Sequence, residues 1–461
     1  MIEFQVIVLA AGKGSRITEL TARKPKCLLP IGNKPMVYYS LKKIEKSGFR
    51  EVFLVVLETA KSEVEFEIEK TDLSIKVNYI TIPSDADWGT ADSLRHLSSY
   101  IISDIIVVSC DLLTTVDIKY ILNFHRKNDA SLTALYFEPN ADLDLPFTTP
   151  GPKSKNKPEK DLVGIDPSTN RLVFLASASD YEVELPLKRA LLHKHGNIRI
   201  FTNLLDAHFF VMKKWLIKYL TYDVNLSTVK GELIPFFLKK QLSKDNKLSS
   251  ANDPPVELTP VKDQQEKVKI DPFSLAKDPD YDTCARSMSS FNDHHGDLSP
   301  TYLNDNIRCY SYIVKDFGLR TNTVRDFCKA NKLVSQNWTK LVGEELMNVS
   351  PEATIESTQF ESETCFVGPN TTISGKTSIK STSFGSGCLI KPKARISECI
   401  IMNNVQVKEG AVLTNCIICD GVVIEENCAL KDCLIGSQYT IPANSSHSNE
   451  VLTKIENLME I

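Results

Sequence analysis

Residue types suited to holding phosphate groups are concentrated near the start of the chain, between Gly12 and Lys26. They follow an apolar segment, 4–9, that is typical of a strand buried on both faces. Gly12 and Gly14 let the backbone turn sharply and bring its N–H groups close to an anion. Arg16 offers a planar fork for phosphate oxygens, and Lys26 adds a point charge. The spacing is neither that of a Walker loop nor that of the three-glycine dinucleotide fingerprint, so it predicts a phosphate cradle of another kind.

An aspartate that could hold a cation follows a second apolar segment. Asp111 comes just after residues 104–109, DIIVVS. A hard cation beside phosphates needs carboxylate oxygens, although an aspartate at this place can also cap a turn or a helix. Asp85 and Asp87 form an Asp-x-Asp pair of the kind found in metal-dependent glycosyltransferases. That pattern is short, and we predict a polar loop there instead.

The elements that must position these residues alternate over residues 1–240. The predicted strands are 3–9, 51–57, 77–80, 104–109 and 130–137, and the predicted helices are 36–47, 91–100 and 117–128. This alternation indicates an α/β domain with a mostly parallel, Rossmann-like sheet. Ligands of such sheets bind beyond the carboxyl ends of the strands. The loop from Gly12 to Lys26 and Asp111 should therefore converge at that edge.

The first loop resembles the signature of the sugar-phosphate nucleotidyltransferases, the NDP-sugar pyrophosphorylases. The shared runs are LAAG at 9–12, LT at 20–21, PK at 25–26, LLP at 28–30 and KP at 34–35. Glu19 and Cys27 stand where the family usually has proline. The resemblance implies a nucleotidyltransferase fold. It also implies a nucleotide pocket built from the signature residues, a Gly-Thr-Ala loop against the base and an aspartate that holds Mg²⁺. In this chain the pocket residues are Gly12, Gly14, Arg16, Lys26, Gly89, Thr90 and Asp111.

The remainder of the family's active site does not follow. Active members carry a Glu-Lys pair that holds the sugar phosphate, whereas residues 176–179 here are Ala-Ser-Ala-Ser. A later segment that normally contains a glycine for the sugar and a second acidic ligand reads NLLDAHFF at 203–210, with only Asp206 retained. Nucleotidyl transfer depends on positioning and charge neutralisation. We therefore predict a vestigial pocket with no catalytic residues.

A regular repeat begins near residue 349. Branched residues recur in steps of six, six and five, so equivalent positions 367, 384, 401, 418 and 435 are 17 apart. Three short strands per coil is the geometry of a left-handed parallel β-helix of hexapeptide repeats. The predicted organisation is a nucleotidyltransferase-like domain at 1–240, a polar flexible linker at 241–300, a connecting strand and helix at 301–348, the β-helix at 349–440 and a tail at 441–461.

The repeat also accounts for the cysteines of this region. Cys416 and Cys419, with Cys428 and Cys433 nearby, have a spacing that zinc sites use. Cys399, Cys416 and Cys433 are however 17 residues apart, so they should stack in successive coils as small buried side chains. We expect neither a metal nor a cofactor in this chain.

Composition excludes several classes of function. Hydrophobic residues make up 42% of the chain and the net charge is −4, which is typical of a globular protein without a nucleic-acid footprint. No apolar run approaches the roughly 18 residues that span a bilayer, and the N-terminus does not resemble a signal peptide. Twelve cysteines in a chain of this kind indicate reduced thiols. We therefore expect a cytosolic protein that binds no membrane.

Taken end to end, the chain resembles the family of gamma subunits of eukaryotic translation initiation factor 2B. The segments that carry this resemblance are 85–95, 109–112, 206–208, 231–235 and the closing residues. The resemblance implies a non-catalytic subunit of a guanine-nucleotide exchange factor. It implies pairing with the epsilon subunit, assembly with the alpha, beta and delta subunits, and binding to translation initiation factor 2. The epsilon subunit ends in a helical exchange domain, and we expect none here because the chain ends shortly after the repeat.

Two other functions are compatible with parts of the sequence. An active mannose-1-phosphate guanylyltransferase would use Arg16, Lys26 and Asp111, but the missing sugar clamp argues against it. A β-helix acyltransferase needs a catalytic histidine in the coils, whereas His447 is predicted to lie in the tail beyond them.

Overall fold

The computed structural model describes residues 3–139, 148–152, 160–181, 184–243, 270–276, 305–343 and 347–453. Its N-terminal part is built on a ten-stranded mixed sheet. In spatial order the strands are Arg199–Phe201, Asp161–Asp166, Arg171–Ser177, Cys309–Val314, Leu132–Phe137, Leu205–Met212, Asp104–Ser109, Phe4–Leu9, Glu51–Leu57 and Lys76–Ile82. The four strands from Asp104–Ser109 to Lys76–Ile82 are parallel, as the alternation of strands and helices predicts. The other half contains antiparallel pairs, so the sheet is mixed.

Helices cover both faces of this sheet. Their bounds are Thr18–Thr21, Met36–Lys46, Lys61–Glu69, Thr90–His96, Ile118–Lys127, Arg189–Lys194, Lys214–Tyr222, Ile234–Lys240, Pro272–Leu275 and Val324–Leu341. Alternate residues of Phe4–Leu9 point to opposite faces: Val6 and Val8 join the core under Met36–Lys46, and Ile7 joins the core under Lys214–Tyr222. This two-sided burial is why the strand reads as a continuous apolar run.

One strand comes from far along the chain. Cys309–Val314, predicted as part of a connecting segment, lies inside the sheet between Arg171–Ser177 and Leu132–Phe137. The N-terminal domain therefore includes residues beyond 300. Within the predicted linker, Phe273 of the short helix Pro272–Leu275 is buried against the main domain. Residues 244–269 and 277–300 of that linker lie outside the described residues.

The C-terminal part is a left-handed parallel β-helix with three six-stranded sheets. One sheet contains Phe366–Val367, Ser383–Phe384, Ile400–Ile401, Ile417–Ile418, Leu434–Ile435 and Val451–Leu452. The inward ladder Val367, Phe384, Ile401, Ile418 and Ile435 is almost fully buried, which confirms the 17-residue period. The helix continues beyond residue 440 to Val451–Leu452. His447 lies within its last coil and not beyond it, because Ser446–Ser448 pairs with Ala429–Lys431.

Left-handed backbone residues form the corners of the coils. Examples 17 residues apart are Glu398, Asn415, Asp432 and Asn449, with φ values of 55°, 49°, 53° and 56°. Asn and Asp adopt this conformation more readily than other residues with a side chain. The predicted cysteine stack is present: Cys399, Cys416 and Cys433 are at most 1% exposed. Hydrogen bonding to Cys399, together with burial, raises the pKa of Cys416, so this thiol stays protonated.

One long helix joins the two domains. Val324–Leu341 is the helix of the predicted connecting segment 301–348, and its Trp338 lies between Tyr39 of the first domain and Phe366 of the β-helix. Polar contacts add to this joint. Lys24 forms an ion pair with Asp420 at 3.1 Å. None of the helices within the described residues combines the length and apolarity that crossing a membrane requires.

Candidate functional site

The signature loop lies at the carboxyl edge of the sheet, as predicted. It leaves Phe4–Leu9, and the backbone N–H of Ala10 still donates to Val55 at 2.8 Å. Gly14 has a φ of +73°, and a Cβ there would lie 2.8 Å from the side chain of Thr21. This position therefore needs glycine. Gly12 and Arg16 are exposed at the surface of the loop.

The structure brings Lys26 and Asp111 into direct contact. The two side chains are only 8% and 1% exposed, and Nζ lies 2.5 Å from Oδ2 of Asp111. Lys26 also donates to Oδ1 of Asn322 at 2.8 Å. The convergence expected from strand ends is thus present, but the lysine is bonded within the protein.

Arg320 is the second cation on Asp111, and the sequence analysis missed it. Its Nε donates to Oδ1 at 3.2 Å and its Nη2 to Oδ2 at 3.3 Å. Burial alone would raise the pKa of Asp111, but the charges of Arg320 and Lys26 outweigh burial and hold that pKa well below its usual range. Asp111 is therefore a buried, permanently charged carboxylate with a cation on each oxygen.

This arrangement does not fit the magnesium site that the family resemblance implies. A Mg²⁺ ion needs carboxylate oxygens that are open to it. Both oxygens of Asp111 are within 3.3 Å of a positively charged group, and these charges repel a divalent cation. In the parts of the chain that the structure describes, no three or more His, Cys, Asp or Glu side chains are grouped so that they could hold a metal.

Asp206 lies in a second charged group beside Arg320. Its Oδ2 is 3.1 Å from Nζ of Lys230 and 3.3 Å from Nε2 of His208. Burial would raise the pKa of Asp206, and the charges of His208, Lys230 and Arg320 lower it on balance. Burial lowers the pKa of His208 to about 4, so this imidazole is neutral at pH 7.

A local irregularity places His208 in the site. The strand Leu205–Met212 changes register between Asp206 and Phe210, and His208 has a φ of 47°. Bulges of this kind redirect a side chain. The imidazole belongs to the segment in which the family resemblance implies a glycine that makes room for the sugar.

The predicted base loop at Gly89 and Thr90 is closed by another segment of the chain. The carbonyl of Ser227 accepts from the N–H groups of Ala91 at 2.8 Å and Asp92 at 3.3 Å. The hydroxyl of Thr90 accepts from the N–H of Val229 at 2.8 Å. A Cβ at residue 89 would lie 2.2 Å from the Ser227 carbonyl oxygen, so only glycine fits under this cover.

Two residues of the 85–95 segment hold that cover in place. Arg95 donates to the carbonyls of Leu220 at 2.6 Å and Leu226 at 2.7 Å. Asp92 accepts from the hydroxyl of Ser227 and from the N–H of Gly89. The covering segment then runs into a π-helical turn, Val229–Leu233, which carries Lys230 to Asp206.

Comparison with known proteins identifies both domains. The Nucleotidyl transferase family profile matches residues 5–145, and the EIF2B subunit epsilon LbH domain profile matches residues 348–446. Over 248 residues the chain is 34% identical to "Translation initiation factor eIF2B subunit gamma" of Schizosaccharomyces pombe, covering 53% of each protein. The chain thus spans about half the length of that relative.

Two further relatives differ in how much of the chain they match. The eIF2B subunit gamma of Dictyostelium discoideum is 24% identical over 84% of this chain and 88% of its own length. The mannose-1-phosphate guanylyltransferase of Mycobacterium tuberculosis is 30% identical, but over only 28% of this chain and 36% of its own length. The likeness to the enzyme is confined to a part of the chain, whereas the match to the Dictyostelium gamma subunit is long enough to include both domains. The chain is therefore similar to gamma subunits of translation initiation factor eIF2B, at 34% identity over about half of its length and at 24% over most of it.

Proposed function

We propose that this chain is a non-catalytic subunit of the guanine-nucleotide exchange factor eIF2B, which promotes exchange of GDP for GTP on translation initiation factor 2. In this proposal it pairs with the epsilon subunit, assembles with the alpha, beta and delta subunits, and acts in the cytosol. The similarity to gamma subunits supports the proposal, as does a β-helix that matches the epsilon-subunit profile.

One observation supports the proposal that the subunit is non-catalytic: the cations of the pocket are already paired with carboxylates of the protein. Nucleotidyl transfer requires cations that meet the charge developing on the phosphates. Lys26 and Arg320 already have Asp111 as their counter-ion, and Lys230 has Asp206 and Asp161. A triphosphate would have to break these buried ion pairs before it could use the cations, so the pocket supports a structural role.

Affinity purification of the tagged chain from its own cells, followed by native mass analysis, tests the assembly. We expect a longer homologous chain with a β-helix, together with the subunits of translation initiation factor 2. Recovery of a homo-oligomer alone would contradict the proposal.

The second candidate is an active mannose-1-phosphate guanylyltransferase. The exposed loop at Gly12 and Arg16 and the partial similarity to the Mycobacterium tuberculosis enzyme favour it. Pyrophosphate release from GTP and mannose 1-phosphate, and from the other common nucleotide and sugar-phosphate pairs, distinguishes the two. We expect no turnover; turnover that Arg16→Ala removes would establish the enzyme instead, since a contaminant would be unaffected by that variant.

A further inference from the structure

Arg320 lies where it acts on both buried carboxylates of the pocket. Its guanidinium contacts both oxygens of Asp111, and its positive charge contributes to lowering the pKa of Asp206. The same two aspartates are the acidic positions at which the resemblance to nucleotidyltransferases implies metal ligands. Arg320 therefore supplies positive charge to both carboxylates, as a metal ion between them would, whereas Lys26 is bonded to Asp111 and Lys230 to Asp206.

The backbone around Arg320 is fixed to the Asp111 segment. The strand Gly318–Arg320 pairs with Leu112–Thr114, which puts Arg320 opposite Leu112. The next residue, Thr321, donates both its N–H and its hydroxyl to the carbonyl oxygen of Asp111, at 2.9 and 3.1 Å. The guanidinium is therefore held beside Asp111 by its own backbone and does not depend on a chance orientation of a long side chain.

We propose that Arg320 is a built-in replacement for a divalent cation, so that this pocket is closed to metal and becomes a metal site only when the guanidinium is removed. The guanidinium is always charged and presents its donors in a plane that matches a carboxylate. It therefore gives Asp111 and Asp206 permanently the positive charge that a bound ion would give only when present. This inference goes beyond the proposed function, because it concerns which cation the pocket accepts and not which complex the chain joins.

Titration of the 461-residue chain with Mn²⁺ tests the inference. Binding is measured as the loss of the electron paramagnetic resonance signal of the free ion. We expect no specific site in the wild type and one site in Arg320→Ala, so that Mn²⁺ binds this variant about tenfold more tightly, or more, than it binds the wild-type surface. The double variant Arg320→Ala/Asp111→Asn should lose the site again. Arg320→Lys retains the positive charge and should bind no Mn²⁺.

A matched control is available elsewhere in the same domain. Asp129 also lies between a lysine and an arginine, with Lys213 at 2.7 Å and Arg308 at 2.8 Å. Arg308→Ala removes an arginine from a carboxylate without touching the pocket, and it should create no Mn²⁺ site.

Several outcomes would overturn the inference. One is a wild-type site for Mn²⁺ that Asp111→Asn removes. Another is a folded Arg320→Ala chain that binds no Mn²⁺. A third is a double variant, Arg320→Ala/Asp111→Asn, that binds Mn²⁺ as well as Arg320→Ala does. If Arg320→Ala does not fold, Arg320→Gln keeps a polar side chain without the charge and must show the site. Failure of these tests leaves the complex-capture and turnover experiments unaffected, so the two proposals are judged separately.

Discussion

At the scale of single residues, the pocket is organised around a carboxylate that never meets solvent. Asp111 remains ionised at 1% exposure because the positive charges of Lys26 and Arg320 stabilise its carboxylate. The meeting of Lys26 with Asp111 was predictable, since both follow neighbouring parallel strands. Arg320 was not predictable, because it is 209 residues from Asp111 and ends a short strand, Gly318–Arg320, that has no pattern of its own. The same holds for Ser227, whose backbone carbonyl closes the base loop; a carbonyl has no signature in a sequence.

Asp111→Asn tests how much the ion pairs of Asp111 with Lys26 and Arg320 contribute to the free energy of unfolding. The substitution leaves two buried cations without a counter-ion, and breaking such a pair from one side costs about 3–5 kcal/mol. We expect the free energy of unfolding in urea to fall by that amount. Asp72→Asn is the control, because Asp72 also lies between two lysines, Lys34 and Lys42, but is 38% exposed. It should cost about 1 kcal/mol or less; equal losses in both variants would contradict our account.

His208 predicts a dependence of stability on acid. Its folded pKa of about 4 lies below the ordinary value near 6.5, so the unfolded chain binds a proton first as the pH falls. Stability is therefore unaffected above about pH 7 and is lost progressively down to pH 4, by roughly 3 kcal/mol from this group. His208→Asn cannot titrate and tolerates the left-handed backbone, so its unfolding free energy should fall less over this range.

The matched control for that experiment is His193→Asn, since His193 is exposed on the helix Arg189–Lys194. Its profile should follow the wild type. A His208→Asn profile parallel to the wild type would contradict this account, because it would mean that folding does not change the pKa of His208.

At the scale of elements, the sequence predicted the β-helix better than its ends. Each coil shows inward aliphatic residues in steps of six, six and five, and these positions recur every 17 residues in the next coil. The last strands, Ser446–Ser448 and Val451–Leu452, were missed because Ser446–Ser448 is polar and is ordered by pairing with the coil before it. The second half of the helix Val324–Leu341 likewise depends on other elements, since Trp338 and Leu341 pack in the core that the two domains share.

Ile418→Ala tests the inward ladder of the β-helix. Ile418 is fully buried between Ile401 and Ile435, and a cavity there should lower the free energy of unfolding by about 2–5 kcal/mol. Val412→Ala removes an outward side chain that is 40% exposed and should change it by no more than about 0.5 kcal/mol. The two variants are compared by chemical denaturation, and similar losses would mean that the coils are not packed as described.

At the scale of the whole molecule, the joint between the domains is a shared apolar core. Outward residues of one β-helix sheet, among them Phe366, Ile400 and Ile417, belong to the same cluster as Trp338 and Tyr39. Sequence periodicity finds the inward ladder of a coil but does not identify which outward face is covered, since that depends on elements hundreds of residues away. The arrangement of the two domains therefore had to come from the structure.

Trp338→Ala tests whether this core couples the domains. Its indole packs on Tyr39 and Phe366, with ring centroids 6.3 and 6.2 Å away, so we expect calorimetric unfolding to separate into two transitions and proteolysis between the domains to accelerate. Trp88→Ala removes a 38% exposed indole from the base loop and should leave a single transition. A single transition in Trp338→Ala as well would place the coupling in the polar contacts.

The strand Cys309–Val314 has a consequence for how the protein is made. A nascent chain that has reached only residue 300 has already exposed Leu132–Phe137 and Arg171–Ser177, but the strand that separates them does not yet exist. Unpaired strand edges are templates for aggregation, so the growing polypeptide carries this hazard through the synthesis of the whole intervening segment. The N-terminal domain, although it begins at the first residues, is thus completed late, just before Val324–Leu341 emerges to receive the β-helix. A chain released before residue 309 would have an open sheet, and we expect protection of that sheet to matter throughout the interval.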